Sequence, residues 1–521
     1  MLTSDCLVPL TDAERELYLE VVPQDHLLRR VLQCIDFEAF RPLLEAAYKG
    51  FGRPPLDSVF MLKLELLARQ YRLSDREVIA AARFNVAQRL FLGISLRSPL
   101  PHHTLLTYFR QRLGPKRLQP LFDSLVGQAR RLGLVRDRLR LKDATHILAN
   151  IAVPSTIRLV AEVRDQLLDA LRPFAAAQVA EEEERAASIR QGTEDAPDQE
   201  RLVQRVTHVR AVLAWADDLA GQAAFAQGSV PSQEQLRAAL ALAHKVLADR
   251  EEGATDKVVS AHDPDARRGK HGDFYEGYLV DVAMDADSEI ITAVNVLPAN
   301  GDEGADAGHL IAQEEQAQGN DVAAVSMDGA GFRGSVLREL TDPAGLHLEV
   351  FTPPSEQPVQ GFAPERFTLT VLDNQPALTC PAGATTTTRY RNDDDTAYIY
   401  RFRAAQCLDC SLRGACLANP GAKIRSVTKN DYEAEYTAAK VKAQTPEYAA
   451  VRRQHPAIER KLAELMRRHD LRHARYRGRL RVLYQSLLTS MVVNLKRIVR
   501  LLWAPPEESQ GTVRAAWAAG G

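Results

Sequence analysis

The sequence has 521 residues, of which 45% are hydrophobic and 26% are charged, as is ordinary for a globular protein of roughly two to four domains. It contains no run of about 18 apolar residues, and its first residues lack the basic start and apolar core of a secretory signal. We therefore expect a cytoplasmic protein with no membrane partner. The formal net charge of -2 neither favours nor excludes nucleic acid as a partner.

Positive charge is nevertheless concentrated in two segments. Residues 109–142 are rich in Arg and Lys and contain only Asp123 and Asp137 as acids, and residues 452–500 are rich in Arg. Segregated charge of this kind forms local surfaces that bind phosphate even when the total charge is near zero. The alternative is that these charges lie on ordinary solvated helix faces.

Residues 1–135 have the pattern of a helical N-terminal domain. Ser74 is followed three residues later by Glu77, which predicts a capping box at the start of a helix. Several short helices, with Arg110 and Arg112 on a late one, are typical of a helix-turn-helix-like module that binds DNA. A helical bundle that only packs on the next domain is the alternative.

The next segments alternate between strand and helix patterns. Residues 139–151 alternate apolar and polar side chains, which predicts a strand with Asp143 in its middle. Residues 152–260 return to charged helical patterns and are interpreted as a helical insertion. Residues 277–284 and 289–297 then predict a β-hairpin.

Four further elements complete this region. A helix is predicted over 308–318, a short buried strand over 321–327, a helix over 332–340 and a strand over 347–352. Asp328 directly follows the buried strand. The order β-β-β-α-β-α-β predicts an α/β (mixed) fold, in which a sheet is flanked by helices.

The last third of the chain interrupts and then resumes the helical pattern. Residues 353–445 are β-rich and contain four cysteines. A helix beginning near Pro456 carries Glu459, and a long apolar helix follows over 481–503, with Asn494 and Lys496 expected near its polar face. Residues 504–521 have the composition of a disordered tail.

Three carboxylates occupy positions that suit metal chemistry. Asp143 within one strand and Asp328 at the end of a neighbouring strand should meet at one sheet edge, and Glu459 lies on a late helix. Oxygen ligands suit Mg²⁺ or Mn²⁺, and two such ions catalyse phosphoryl transfer. Taken singly, each acid is equally explained as a turn former, a helix cap or a complement to a helix dipole.

The clustered cysteines predict a second metal site. Cys407, Cys410 and Cys416 have the close spacing of thiolate ligands, and Cys380 supplies a fourth. Four thiolates would form a closed, structural Zn²⁺ site that stabilises an insertion too small to bury its own core. Free buried thiols are the alternative.

Basic residues surround these positions and predict contacts with DNA phosphates. Arg267, Arg268 and Lys270 lie in segment 260–270, which is otherwise interpreted as a flexible polar loop. Further DNA contacts are predicted near the late helices: His455, Arg460, Arg467, Arg475, Arg477 and Lys496.

Short motifs, in order and spacing, resemble a known family. They lie at residues 143–145, 277–278, 328–332, 458–460, 477–478 and 494–497. The chain resembles, over roughly residues 20–500, the DDE transposases of bacterial insertion sequences, which have a ribonuclease H-like catalytic fold. The resemblance implies cut-and-paste transposition by Asp143, Asp328 and Glu459.

Two positions depart from the pattern of related branches. An Arg commonly lies four residues before the catalytic Glu and a Lys about seven after it, where this chain has His455 and Met466. Arg452, Arg453 and Arg467 lie next to these positions and could supply the charge.

The sequence therefore predicts a transposase that cleaves and transfers DNA strands with two divalent metal ions. Its partners would be double-stranded DNA at transposon ends and target, and further copies of itself in a homo-oligomer. The alternatives are a catalytically decayed DNA-binding regulator and a metal-dependent nuclease without strand transfer. The predicted domains are a helical DNA-binding domain (1–135), a ribonuclease H-like core (136–352) with its helical insertion, a β-rich insertion (353–445), C-terminal helices completing the core (446–503) and the tail (504–521).

Overall fold

The computed structural model describes residues 7–48, 56–251, 253–355, 361–417, 419 and 421–503. The predicted disordered tail, 504–521, lies outside the described residues. Helices and strands are mixed, as the predicted α/β class requires. The chain divides into two compact units, with Met1–Arg136, Ala144–Glu303 and Ile458–Gly521 in unit 1 and Asp137–Asp143 and Gly304–Ala457 in unit 2.

Helices precede the first strand in unit 1. They are α1 (Asp12–Val21), α2 (Leu27–Cys34), α3 (Arg41–Glu45), α4 (Ser58–Gln70), α5 (Asp75–Phe84), α6 (Val86–Leu92) and α7 (Thr104–Arg131). The capping box predicted at Ser74 is confirmed, because Ser74 and Glu77 each accept the other's backbone N–H at the start of α5. Helix α7 is broken at Gly114, whose φ of 59° is non-helical and precedes Pro115.

The predicted helical insertion follows the first strand, β1 (Arg140–Leu148). It contains α8 (Thr156–Gly192), α9 (Asp198–Ala220), α10 (Ala223–Ala226) and α11 (Val230–Ala248). Apolar side chains of α8, α9 and α11 pack into one core that includes Leu167, Ala216 and Ala243. These helices therefore bury a hydrophobic core of their own.

Three strands complete the sheet of unit 1. They are β2 (Arg267–His271), β3 (Asp273–Asp285) and β4 (Ile291–Pro298), and β3 pairs antiparallel with both β2 and β4 and also adjoins β1. The predicted hairpin is confirmed. The predicted polar loop ends instead in a strand, because Gly272, at φ 77°, turns the chain back so that Arg267–His271 pairs with β3.

Unit 2 contains the remaining predicted core elements. These are α12 (Asp306–Gln318), β5 (Ala324–Ser326), α13 (Gly334–Thr341) and β6 (Glu349–Phe351), so both predicted helices and both predicted strands are confirmed. Strand β5 pairs in parallel with the start of β1 on one side and with β6 on the other. Parallel neighbours place their C-terminal ends at the same edge.

The cysteine-bearing segment of unit 2 forms two small antiparallel sheets. One contains β7 (Thr368–Leu372), β8 (Gln375–Thr379) and β9 (Thr385–Thr386), and the other β10 (Arg389–Arg391), β11 (Ala397–Arg401) and β12 (Ser426–Asn430). Short helices α14 (Ala404–Leu408) and α15 (Arg413–Cys416) lie between β11 and β12 in sequence.

Four helices end the described chain: α16 (Glu433–Lys442), α17 (Pro446–Gln454), α18 (Pro456–Arg468) and α19 (Arg479–Trp503). Within unit 1, α19 packs against β4, α4 and α7. Asn494, expected near a polar face, is instead fully buried and bonds to the backbone of Ile291. Of the described helices, none is long and apolar enough to cross a membrane.

Candidate active site

The strand register of unit 2 brings two of the predicted carboxylates to the same level. Leu141 of β1 pairs with Ser326 of β5, and Asp143 and Asp328 each follow two residues later. Paired strands lie about 4.8 Å apart, so counting two residues on from this pair reaches Asp143 on β1 and Asp328 just past the end of β5 at the same level. Both residues are half-buried.

The turn after β5 fixes the backbone that carries Asp328. One residue, Met327, separates the end of the strand from Asp328, whose Oδ1 accepts a hydrogen bond from Ala330 N at 3.0 Å. Thr352 Oγ1 donates to Asp328 O at 2.6 Å. A Cβ at Gly331 would lie 2.1 Å from Met327 Cε, so a larger residue there would have to displace the Met327 side chain. One carboxylate oxygen of Asp328, Oδ1, therefore caps the following turn, as the helix-cap alternative expected.

Two residues of α17 and its C-cap hold the end of β5. Arg452 Nη1 donates to Met327 O at 2.6 Å, and the His455 ring nitrogen Nδ1 lies 3.1 Å from Ser326 Oγ. Burial and the nearby Arg452 together lower the pKa of His455 to about 4, although Asp328 opposes the shift. His455 is only 3% exposed and supports the end of β5, and its contact with DNA stays a prediction.

The third predicted carboxylate lies in the first turn of α18. Glu459 is exposed and belongs to unit 1, whereas Asp143 and Asp328 belong to unit 2. Arg460 beside it is exposed as well. Met466, at the position where relatives carry Lys, is 5% exposed and part of the apolar core. Arg467 and Arg468, which follow it in the same helix turn, are exposed.

Metal coordination is not preformed in the described residues. Among them, His, Cys, Asp and Glu side chains form no group of three or more that could hold a metal ion. The donor chemistry of the three carboxylates nevertheless fits Mg²⁺ or Mn²⁺, because both ions prefer oxygen ligands.

The predicted DNA-binding side chains fall into two classes. Those exposed to solvent are Arg112, Arg268, Lys270, Arg460, Arg467, Arg475 and Arg477. Exposure leaves a guanidinium or ammonium group accessible to a phosphate, although Arg268 also pairs with Glu276 at 2.7 Å.

The other basic side chains are engaged within unit 1. Arg110 pairs with Glu65 at 2.8 Å and with Asp75, and its side chain is 15% exposed. Lys496 Nζ donates to Glu464 at 2.7 Å and to His469 Nε2 at 3.1 Å.

Arg267 is the third of these engaged cations. Its guanidinium binds Asp256 and the carbonyls of Pro264 and Ala266. Arg110, Lys496 and Arg267 thus have partners within unit 1, and their contact with DNA stays a prediction.

The four predicted zinc ligands lie in the small sheets of unit 2. Cys380, Cys407 and Cys416 pack against one core cluster that includes Phe367 and Phe402. All four cysteines of the motif are half-buried free thiols.

The thiols influence one another electrostatically. Burial raises the pKa of the Cys416 thiol, Arg425 lowers it, and Cys407, Cys380 and Cys410 raise it. The four residues are thus neighbours, although they do not form a ready metal centre.

Sequence patterns missed the residues that support Asp328. Ser326 and Thr352 are buried polar residues at the ends of β5 and β6; Ser326 Oγ bonds to the ring of His455, and Thr352 Oγ1 donates to Asp328 O. A polar Ser at the end of an otherwise apolar strand was the available signal for Ser326. No comparable signal marks Thr352.

Two family models match the chain. Residues 16–112 match a family described as "Transposase domain (DUF772)", and residues 379–499 match one described as "Transposase DDE domain". The second match contains Glu459 and all four clustered cysteines, whereas Asp143 and Asp328 lie before it. No curated protein and no solved structure matches the chain.

Proposed function

Because the chain belongs to the DDE transposases of insertion sequences and so acts on DNA, we propose that it cleaves the ends of its own element and joins them to a target. In this proposal Asp143, Asp328 and Glu459 are the catalytic residues. They would hold two Mg²⁺ or Mn²⁺ ions, which when bound stabilise charge on the attacking and leaving oxygens.

The observation that carries this proposal is the register between β1 and β5. It puts Asp143 and Asp328 at one level on adjacent, parallel segments of unit 2. Strand pairings also support a ribonuclease H-like core: β3 adjoins β1 in unit 1, and β5 and β6 continue in parallel from β1 in unit 2. The second family match supports Glu459 by covering its helix.

The chain's own residues prepare this site in defined ways. Thr352 and Arg452 fix the backbone on either side of Asp328, so its carboxylate is held before any substrate binds. Arg452 also supplies a positive charge beside the end of β5. This charge replaces the one that related transposases have at the position of His455, which is neutral here. Such a cation favours binding of a scissile phosphate.

DNA would be bound by exposed basic side chains. Arg460, Arg467, Arg475 and Arg477 lie on or after α18 and are accessible, as is Arg112 on α7. Two ends joined in one reaction need two catalytic sites, so we include a homo-oligomer in the proposal. Size-exclusion chromatography with light scattering, with and without end DNA, measures the number of chains in the oligomer.

The cysteine segment is proposed to hold one structural Zn²⁺ ion. The short spacing of Cys407, Cys410 and Cys416 and their shared packing with Cys380 support this proposal. Metal analysis of the purified full chain should find about one zinc per chain by the stoichiometry of a four-thiolate site. A zinc content near zero, with all four thiols titratable, would refute it.

A strand-transfer assay separates the proposed function from its rivals. The full chain is incubated with Mg²⁺ and duplexes carrying the sequences that flank its gene, either intact or pre-cleaved at the 3′ end. A transposase nicks the first and joins the second to plasmid DNA. A nuclease nicks without joining, and a decayed regulator binds both duplexes and changes neither.

A further inference from the structure

A short basic segment, residues 475–478, leads into α19 and carries two arginines that the sequence predicts to contact DNA. Arg475 and Arg477 are both exposed. The backbone of the segment is held at its start, because Gln485 Oε1 accepts a hydrogen bond from Arg475 N at 2.8 Å. Arg477 is anchored by its Nε, which donates to Asn150 O at 3.1 Å. The two guanidinium groups can therefore reach a phosphate from a fixed backbone.

Two carboxylates of segment 260–270 hold the other end of the basic segment. Asp263 Oδ1 accepts a hydrogen bond from Gly478 N at 3.0 Å, and Asp265 Oδ2 accepts one from Arg479 N at 2.9 Å. Both N–H groups lie at the start of α19, where no earlier carbonyl of the helix can accept them. The helix dipole also favours a carboxylate at this end. This acidic pair, Asp263 and Asp265, thus joins segment 260–270 to the start of α19.

The surroundings of Asp263 suit a residue that holds backbone in place. Its side chain is fully buried, and Oδ1 accepts a second hydrogen bond, from the Tyr278 hydroxyl. Its other oxygen, Oδ2, has no hydrogen-bond donor among the described residues. Burial raises the pKa of Asp263, although the Tyr278 hydroxyl and Gly478 N oppose the shift. Burying an incompletely bonded carboxylate costs stability, and such costs are typical of residues that serve function.

We propose that the acidic pair positions Arg475 and Arg477 for contact with the DNA backbone, an inference that rests on the proposed function. The basic segment is then held at both ends, by Gln485 at its start and by the acidic pair at its end. Arginines on a pre-ordered backbone bind phosphate more tightly, because less conformational freedom is lost on binding. The acidic pair acts through these arginines and does not itself touch DNA.

The sign of the effect on DNA affinity separates positioning from simple electrostatics. Removing an acid beside a DNA-binding surface should tighten binding by charge alone. Asp265→Ala, which removes an exposed acid, should instead weaken binding of the full chain to end DNA by about 5-fold, within the usual range of coupling between residues that act together. Asp263→Ala should weaken binding at least as much, whereas Asp263→Asn, which keeps Oδ1, should retain most of the affinity. Fluorescence anisotropy measures each affinity.

A control variant and a double-mutant cycle test the proposed route. Asp273→Ala removes an exposed acid at the start of β3 and should not weaken binding. Once Arg475 and Arg477 are both replaced by Ala, Asp265→Ala should have no further effect, because its effect passes through them. Equal or tighter binding by Asp265→Ala, an equal loss in Asp273→Ala, or a loss that persists without the two arginines overturns the positioning proposal. Nicking of end DNA by the unmodified chain tests the proposed function separately.

Discussion

Buried polar residues of the C-terminal helices hold elements of the fold together. Asn494 is the clearest, since it is fully buried, donates to Ile291 O at 2.8 Å and accepts from Ile291 N at 2.9 Å. It therefore satisfies both backbone groups at the start of β4. A polar residue in an apolar helix can thus join that helix to a neighbouring strand. Sequence periodicity does not reveal such a contact.

Replacing Asn494 with Leu should lower the free energy of unfolding by about 2–4 kcal/mol, because both Ile291 backbone groups lose a partner in the core. Urea denaturation measures this loss. Ser490→Ala is the matched control on the same helix, since the Ser490 hydroxyl is buried without a partner. Equal losses in the two variants would contradict the assigned role of Asn494.

His469 should make stability depend on pH. Burial and Lys496 lower its pKa to about 4, while Glu464 opposes this shift; Arg69 Nη1 donates to His469 O. Because the folded pKa lies below the unfolded value near 6.5, the stabilising contribution is complete above about pH 6.5 and is lost as the pH falls toward 4.

The measurement compares unfolding free energies at pH 7 and pH 4.5. In His469→Gln the loss over this range should be smaller than in the unmodified protein by up to about 3 kcal/mol. His473→Gln, whose side chain is 67% exposed, should leave the loss unchanged. An identical pH dependence for His469→Gln and the unmodified protein would show that His469 is not held neutral.

At the scale of elements, the approach of β3 to β1 requires a glycine. A Cβ on Gly277 would lie 1.9 Å from Ile147 O, within unit 1. Gly277→Ala should therefore push the strands apart and lower the melting temperature by several degrees or prevent folding. Gly192→Ala, with nothing within 4 Å of its Cβ, is the control. An unchanged melting temperature in Gly277→Ala would contradict this packing.

A strand or helix could be predicted from the sequence where a local apolar pattern marks it. The strands around Asp143 and Asp328 were predictable because apolar runs and alternation mark them locally. Strand β2 was missed because its sequence, RRGKH, has no apolar pattern and pairs only through the turn at Gly272. Likewise, the burial of His455 and the pairing of Lys496 with Glu464 depend on residues distant in sequence that no local pattern contains.

For the molecule as a whole, DNA affinity should depend on exposed rather than engaged cations. The triple variant Arg467→Ala, Arg475→Ala, Arg477→Ala should weaken binding to any duplex. It should also reduce the slope of log affinity against log salt, by about 0.9 for each phosphate that the variant no longer neutralises. Fluorescence anisotropy over a salt series measures both quantities.

A charge-matched control comes from the helical insertion. Arg185, Arg190 and Arg210 are available there, and replacing all three with Ala removes the same charge. If this control reduces the salt slope as much as the C-terminal triple variant does, net charge rather than a defined DNA surface explains the binding.

The central claim is that Asp143, Asp328 and Glu459 together carry out metal-dependent DNA cleavage. The most direct test measures Mg²⁺-dependent nicking of end DNA by Asp143→Asn, Asp328→Asn and Glu459→Gln, beside Asp321→Asn as an exposed carboxylate control in unit 2. We predict that each of the three variants binds end DNA but no longer nicks or joins it, whereas Asp321→Asn does both. Nicking at the unmodified rate by any one of the three variants would contradict the claim.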